Sequence, residues 1–198
     1  FYYKGLSDEG VYAFVARVIE QLGPNPPRIM LYHIPPQAVV GFSLPLIQRL
    51  IEAFPGVVCG IKDSSGDWDN TRAMIEAFPG FAVFPGAETR LLDALRAGAP
   101  GCISASANVN ARGIRGLIDS WQGEGADEKQ AELNLARRAL ESRGLIPAIK
   151  AVLAARYDDP SWLAPRPPLL QISAERQTEL LADPAIVGLL AAVAPAEA

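Results

Sequence analysis

The hexapeptide Ile51-Glu52-Ala53-Phe54-Pro55-Gly56 returns unchanged as Ile75-Glu76-Ala77-Phe78-Pro79-Gly80, and each copy is followed by a short apolar run. Proline cannot continue a helix, and glycine accepts the left-handed turn beyond it. Each copy therefore reads as a helix end, a stop and a strand start. A chain that uses this device twice is laying down α/β units, which implies a parallel sheet with right-handed crossovers. The rhythm predicts strands over 28–34, 57–62, 81–84 and 101–106. Between them lie amphipathic patterns that predict helices over 8–22, 44–54, 68–78 and 88–97, the first capped by Ser7 with Asp8 and Glu9 at its positive end.

After Ala107 the alternation stops. Helices are predicted over 109–121, 127–143 and 146–157, then a proline-rich but ordered connector over 160–168, then short helices over 173–181 and 184–193. Ser173 and Asp183 are the caps, with Pro184 at the first helical position. We divide the chain into an α/β part, 1–122, and an all-helical C-terminal extension, 123–198. Four strands cannot close a barrel, and an eight-unit barrel takes roughly 250 residues. The residues leave two solutions, an open parallel sheet or the second half of a barrel.

The 198 residues are 49% hydrophobic, enough for a real core, and the net charge of -4 argues against nucleic acid as a partner. No apolar run is long enough to span a bilayer, and no charged n-region followed by an apolar stretch opens the chain. Cys59 and Cys102 fall in predicted buried strands and read as small core hydrophobes of a reducing compartment, so a cytoplasmic location is expected. The chain begins at Phe1, within the aromatic cluster Phe1-Tyr2-Tyr3-Lys4, and we expect it to be the C-terminal part of a longer polypeptide.

Chemistry concentrates at one lysine. Lys62 ends the run Val57-Val58-Cys59-Gly60-Ile61, which reads as a strand buried on both faces. Burial disfavours the ammonium, so such a lysine tends to be neutral and nucleophilic, suited to forming a Schiff base with a carbonyl. The competing reading is a strand-end lysine that snorkels to water. Tyr32 ends the preceding strand. Consecutive parallel strands are usually neighbours, and functional groups of α/β enzymes gather at their carboxyl ends, so Tyr32 and Lys62 are predicted to converge. A phenol beside an imine-forming amine can move protons on and off a carbinolamine. Lys150, on a predicted helix, reads as structural, and Lys4 and Lys129 as solvated.

Four stretches stand together in order: Phe1-Tyr2-Tyr3-Lys4; Leu31-Tyr32-His33-Ile34-Pro35; Gly60-Ile61-Lys62-Asp63-Ser64-Ser65-Gly66-Asp67; and Gly101-Cys102-Ile103-Ser104-Ala105-Ser106-Ala107-Asn108-Val109. In this order and spacing the chain resembles the dihydrodipicolinate synthase / N-acetylneuraminate lyase family of class I pyruvate aldolases. The resemblance implies an α/β fold that is the C-terminal part of a TIM (β/α)8 barrel, strands 5–8 with their helices, followed by the helical extension. It implies Lys62 as the Schiff-base lysine, Tyr32 as the proton-shuttling tyrosine, and Tyr2 as a tyrosine that reaches a neighbouring subunit's site. Ile103 would turn its backbone carbonyl to the keto acid. Ser64, Gly86, Glu88 and Ser104 would contact the aldehyde-derived part. Read without the resemblance, Gly86 is a turn, Ser64 and Ser104 are caps or loop contacts, and Glu88 is a favourable charge in a first helical turn.

The resemblance further implies pyruvate or another 2-keto acid and an aldehyde as partners, a homodimer or homotetramer, and neither metal nor organic cofactor. Two departures narrow the chemistry. The synthase branch carries an arginine shortly after the catalytic tyrosine to hold a substrate carboxylate. Here Pro36-Gln37-Ala38-Val39-Val40-Gly41 has none, and glutamine cannot supply the bidentate charge-assisted bond. The lyase branch often carries a second acidic residue after the position of Glu88, where this chain has Thr89. The paired threonines that cradle the keto-acid carboxylate belong to an early strand that these residues do not include. The reading is a pyruvate-dependent aldolase or lyase. Its alternatives are an authentic 4-hydroxy-tetrahydrodipicolinate synthase and a non-catalytic keto-acid-binding module or inactive fragment.

Overall fold

The structure, a computed structural model, describes residues 4–191. Its contacts divide the chain into two compact units. The first takes the residues up to Gly86 together with Asp93–Ile103, and the second takes Ala87–Leu92 together with everything from Ser104 onward.

The first unit is α/β. Helix α1 (Asp8–Gln21) starts at Ser7, whose hydroxyl accepts the Gly10 N–H as the sequence predicted. Strand β1 (Ile29–His33) leads into a one-turn helix α2 (Pro35–Ala38), which the sequence reading left out. Helix α3 (Leu44–Ala53), strand β2 (Val58–Asp63), helix α4 (Trp68–Ala77) and strand β3 (Ala82–Pro85) follow. Among the described residues the strands form one parallel sheet in the order β1-β2-β3. The repeated hexapeptide behaves alike in its two copies. Phe54 and Phe78 close α3 and α4 through their N–H groups, and Gly56 and Gly80 both take positive φ, at 76° and 85°.

Strand side chains alternate between faces. Leu31, Ile61 and Val83 stand in register and are buried against Val11, Val15 and Ile19 of α1, Leu46, Ile47 and Leu50 of α3, and Met74 of α4. Each such side chain, fully buried, contributes roughly 1.5–3 kcal/mol. The opposite face is less covered. Met30 and Tyr32 leave 41% and 48% of their surface exposed. Along β2, Val58, Gly60, Ile61 and Asp63 are buried, whereas Cys59 and Lys62 are half-buried. The strand expected to be buried on both faces is thus fully covered on one, because the helices of this unit pack on the side of Ile61. Cys59 and Cys102, expected in the core, are both half-buried.

The fourth predicted strand, 101–106, is not a strand. Ile103 N–H bonds to the Pro85 carbonyl at 3.0 Å, as a neighbour of β3 would. Past it the chain turns directly into the next helix, where Ala107, Asn108 and Val109 donate back to Ser104, Ala105 and Ser106. That turn leaves too little extended backbone for a ladder. The predicted helix 88–97 also divides, into a 3-10 turn (Glu88–Arg90) and helix α5 (Leu91–Ala97).

The second unit is helical apart from its turns. It contains α6 (Ala107–Ser120), kinked at Asn110, then α7 (Ala126–Glu141), α8 (Leu145–Tyr157), α9 (Ala174–Leu181) and α10 (Pro184–Ala191). Its core gathers Val109, Leu140, Ala148, Ile149, Val152, Leu180 and Ile186. Beside the kink the Arg156 guanidinium donates to the Val109 carbonyl at 2.8 Å.

Candidate active site

In the first unit the parallel register sets Tyr32 directly opposite Lys62, and Lys62 opposite Phe84. All three lie at the carboxyl ends of their strands, on the less covered face. The Lys62 Nζ donates to the Tyr32 hydroxyl at 3.1 Å and lies 4.3 Å from the ring centroid. The two residues that the sequence predicted to converge are therefore in contact, and on one rim. The amine is half-buried rather than dry, so the desolvation expected of it is partial. Tyr32 has its phenol pKa held below the ordinary value of 10.0. The first cause is a hydrogen bond from the Ser64 hydroxyl, and the bond and charge of Lys62 add to it.

What fixes this pair is a buried layer just behind it. His33 and Asp63, adjacent to Tyr32 and Lys62, stand in register and point to the helix side. The Asp63 carboxylate accepts the Ser65 N–H at 2.9 Å, the Thr71 hydroxyl at 2.7 Å and the Asn70 amide at 3.1 Å. It thereby ties the end of β2 to the first turn of α4, which Asp67 caps. The His33 Nδ1 accepts the Phe42 N–H at 2.9 Å, so that nitrogen is the unprotonated one. Burial pushes the His33 pKa down, against a smaller raising effect of Asp63. Neither His33 nor Asp63 was among the expected site residues, although each is a polar residue next to one.

Ser64 and Gly86 lie beyond the ends of β2 and β3 and touch, and Ile103 is bonded through its N–H to β3. A cleft of about 780 Å³ in this unit is lined by α3, the start of β2 and the turn after α4, and neither Lys62 nor Tyr32 lines it. The chemistry, not the cavity, locates the site.

Glu88 and Ser104 belong to the second unit and are bonded to each other. Glu88 is fully buried. Its carboxylate accepts hydrogen bonds from the hydroxyls of Ser104 and Ser106 and pairs with the Arg137 guanidinium at 3.3 Å. Arg137 also donates to Ser104 at 3.0 Å and to Glu141 at 2.7 Å. Gln130 braces the turn from α7. Its amide N–H donates to the Glu88 carbonyl at 2.9 Å and its carbonyl accepts the Leu92 N–H at 2.8 Å. Glu88 does stand in a first helical turn, that of the 3-10 segment, but as a buried carboxylate with three partners. The sequence carried one signal of this: Arg137 falls on the apolar stripe of α7 with Leu133 and Leu140. Tyr2 lies outside the described residues. Among the described residues no group of three or more His, Cys, Asp or Glu side chains is placed to hold a metal ion.

The chain is similar in sequence and fold to known proteins. The chain is 33% identical over 183 residues to a Chloroflexus aurantiacus protein named "Uncharacterized DapA-like lyase", covering 92% of this chain and 60% of that one. It is 29% identical to a 4-hydroxy-tetrahydrodipicolinate synthase of Listeria monocytogenes, covering 91% of this chain and 61% of that one. Among solved structures, the dihydrodipicolinate synthase of Agrobacterium tumefaciens superposes with a TM-score of 0.80 at 30% identity, covering 95% of this chain and 63% of that chain. The chain thus spans about three fifths of the length of the relatives it matches. The profile of the dihydrodipicolinate synthetase family matches residues 1–184, and the chain belongs to that family.

Proposed function

We propose that the protein makes or cleaves a carbon–carbon bond between pyruvate, or another 2-keto acid, and an aldehyde, through a Schiff base on Lys62. The observation that carries the reading is the 3.1 Å hydrogen bond between the Lys62 Nζ and the Tyr32 hydroxyl on adjacent strand ends. The neutral amine attacks the ketone carbon, and the carbinolamine loses water to give an iminium. The iminium withdraws electrons, so a methyl proton leaves and an enamine forms. The enamine carbon attacks the aldehyde, and the reverse sequence cleaves the bond. Tyr32 gives and takes the protons of these steps. The lysine itself makes the electron sink, so the chemistry calls for no organic cofactor or metal.

In this reading residues 1–122 supply the C-terminal part of a TIM barrel, with 101–106 standing in extended-to-helix form where its last strand would be, and 123–198 form its helical extension. Ile103, Ser64 and Gly86 line the keto-acid and aldehyde side. For Glu88 and Ser104 the aldehyde-side role is the one the resemblance implies. The partner aldehyde differs from that of lysine biosynthesis, because α2 and the turn after it offer Gln37 where the synthase branch offers an arginine. Assembly into a homodimer or homotetramer through Tyr2 and a cytoplasmic location complete the proposal. No helix among the described residues is long and apolar enough to cross a membrane.

Incubation with pyruvate, borohydride reduction and mass-spectrometric mapping test the reading. A pyruvate adduct on Lys62 supports it. Pyruvate binding without any adduct replaces it with the keto-acid-binding module, and turnover of aspartate semialdehyde at a rate normal for a synthase overturns the assignment of the aldehyde.

A further inference from the structure

The second unit holds a cleft of about 620 Å³ among α6, α7 and α10, with Arg156 of α8 in its wall, and no residue of the first unit lines it. Small residues open it. A Cβ built on Gly116 of α6 or on Gly188 of α10 would meet nothing within 4 Å, so both glycines border free space and not a packed neighbour. Val109, Leu133 and Leu189 supply apolar wall, and among the charged lining residues Arg112, Lys129 and Arg156 outweigh Glu132. A concave, mostly apolar surface with a few convergent polar groups is the common form of a small-molecule site.

Two polar side chains in this wall lack the partners that burial normally brings. The first is Arg156. Its guanidinium donates to two uncharged acceptors, the Val109 carbonyl at 2.8 Å and the Leu189 carbonyl at 3.4 Å, and its buried Nε has no acceptor. Other arginines of the unit meet carboxylates: Arg137 pairs with Glu88 at 3.3 Å, and Arg143 lies 3.7 Å from Asp183. Arg156 meets none among the described residues. The second is Asn110, 7% exposed, at the kink of α6. Its N–H donates to the Ser106 carbonyl at 2.8 Å, but its side-chain amide bonds to no described residue. That amide lies over Gly113, where a Cβ would stand 2.5 Å from the Asn110 Oδ1 and 3.1 Å from the Leu133 Cδ2. Glycine at 113 thus leaves the amide the space it occupies between α6 and α7. Arg156 is bonded to the carbonyl of the residue just before Asn110, so the guanidinium and the amide stand together at the kink.

We propose that this cleft binds a short aliphatic carboxylate. The carboxylate head takes the charge-assisted bond that the two carbonyls around Arg156 do not match. The Asn110 amide supplies a neutral donor to the same head, and the hydrocarbon tail lies against Val109, Leu133 and Leu189. The apolar walls select an anion with a hydrocarbon body over an inorganic one. The site does not rest on the Schiff-base reading, since it uses no residue of the first unit.

Calorimetric titration of the full chain with isovalerate tests this, with isovaleramide as the neutral isostere and inorganic phosphate as an anion without a tail. Isovalerate is expected to bind saturably, isovaleramide to bind about tenfold more weakly or worse, the share of one hydrogen bond to a charged group, and phosphate to leave bound isovalerate in place. Arg156→Met is expected to lose about tenfold in isovalerate affinity for the same reason. Because Arg156 also ties Val109 to Leu189, Gly116→Leu is the second variant. Its side chain enters open space, so the variant should keep the thermal midpoint of the wild type while filling the cleft and abolishing binding. In an isotope-labelled wild-type sample the amide resonances of Asn110, Gly113 and Gly116 should move as isovalerate is added. The proposal is overturned by no saturable binding of isovalerate, by equal binding of isovaleramide, by displacement with phosphate, or by a folded Gly116→Leu that binds as the wild type does.

Discussion

Replacing Arg137 by methionine should cost about 3–5 kcal/mol of folding free energy, the range for removing one partner of a buried ion pair. The geometry places the substitution within that range. Glu88 is fully buried and Arg137 is 7% exposed, so water reaches neither group to take over the lost interaction. Methionine fills much of the arginine stem but leaves the Glu88 carboxylate with only the hydroxyls of Ser104 and Ser106. The Glu141 arm adds little, at most about 1 kcal/mol, because that carboxylate is half-exposed. Urea unfolding followed by far-UV circular dichroism and tryptophan fluorescence reads the change. With a urea slope of about 2–3 kcal/mol/M, the midpoint should fall by about 1–2.5 M. Adding Glu88→Gln to Arg137→Met should recover a substantial part of the loss, since a neutral amide can bond to both serines without a stranded charge. A shift below about 0.3 M in the single variant, or a double variant weaker than the single one, would refute the claim that the turn is held by a dry ion pair.

Lys62→Met should abolish the pyruvate adduct, and Tyr32→Phe should slow its formation by about 100-fold or more while leaving the urea midpoint close to that of the wild type; adduct mass and trapping rate measure both. His33 supplies a pH dependence whose sign follows from its lowered pKa. Its stability contribution is fully present above its ordinary value of 6.5 and is lost as pH falls from there through the lower folded value. Urea midpoints should therefore drop between pH 7 and pH 5 more steeply in the wild type than in His33→Gln, and parallel curves would rule this out. Gly60→Ala should cost about 1–3 kcal/mol or more, because its Cβ would lie 2.5 Å from the Ala82 carbonyl oxygen, a backbone atom that cannot swing away; thermal unfolding decides it.

The α/β body was legible because its signals are local. The repeated Phe-Pro-Gly stop gave two helix ends and two strand starts, and Ser7, Ser43, Asp67 and Ser173 all cap helices close to the expected starts. The pairing of Tyr32 with Lys62 was legible because adjacent parallel strands of similar length bring their last residues level. Residues 101–106 misled because an apolar run says nothing about whether the backbone beyond it stays extended, and here it folds back into α6 at once. Lys62 was expected to be drier than it is, since a period-2 pattern names the two faces of a strand but not what covers each. The partners of Glu88 lie 16 to 49 positions along the chain, too far for any spacing rule, and only the interruption of an apolar stripe by Arg137 hinted at them.

The path of the chain through its two units limits how the protein can be taken apart. Glu88 and its short turn are grouped with the helices that come later, yet the next stretch, Asp93–Ile103, returns to the α/β body. No single proteolytic nick or stop codon yields one intact half. A fragment ending at Ile103 would carry the Glu88 turn without α7, stranding its carboxylate, its carbonyl and the Leu92 N–H together. Separately expressed halves should therefore be poor folders on their own, and a circular permutant opened at an exposed loop is the better route to a dissected protein.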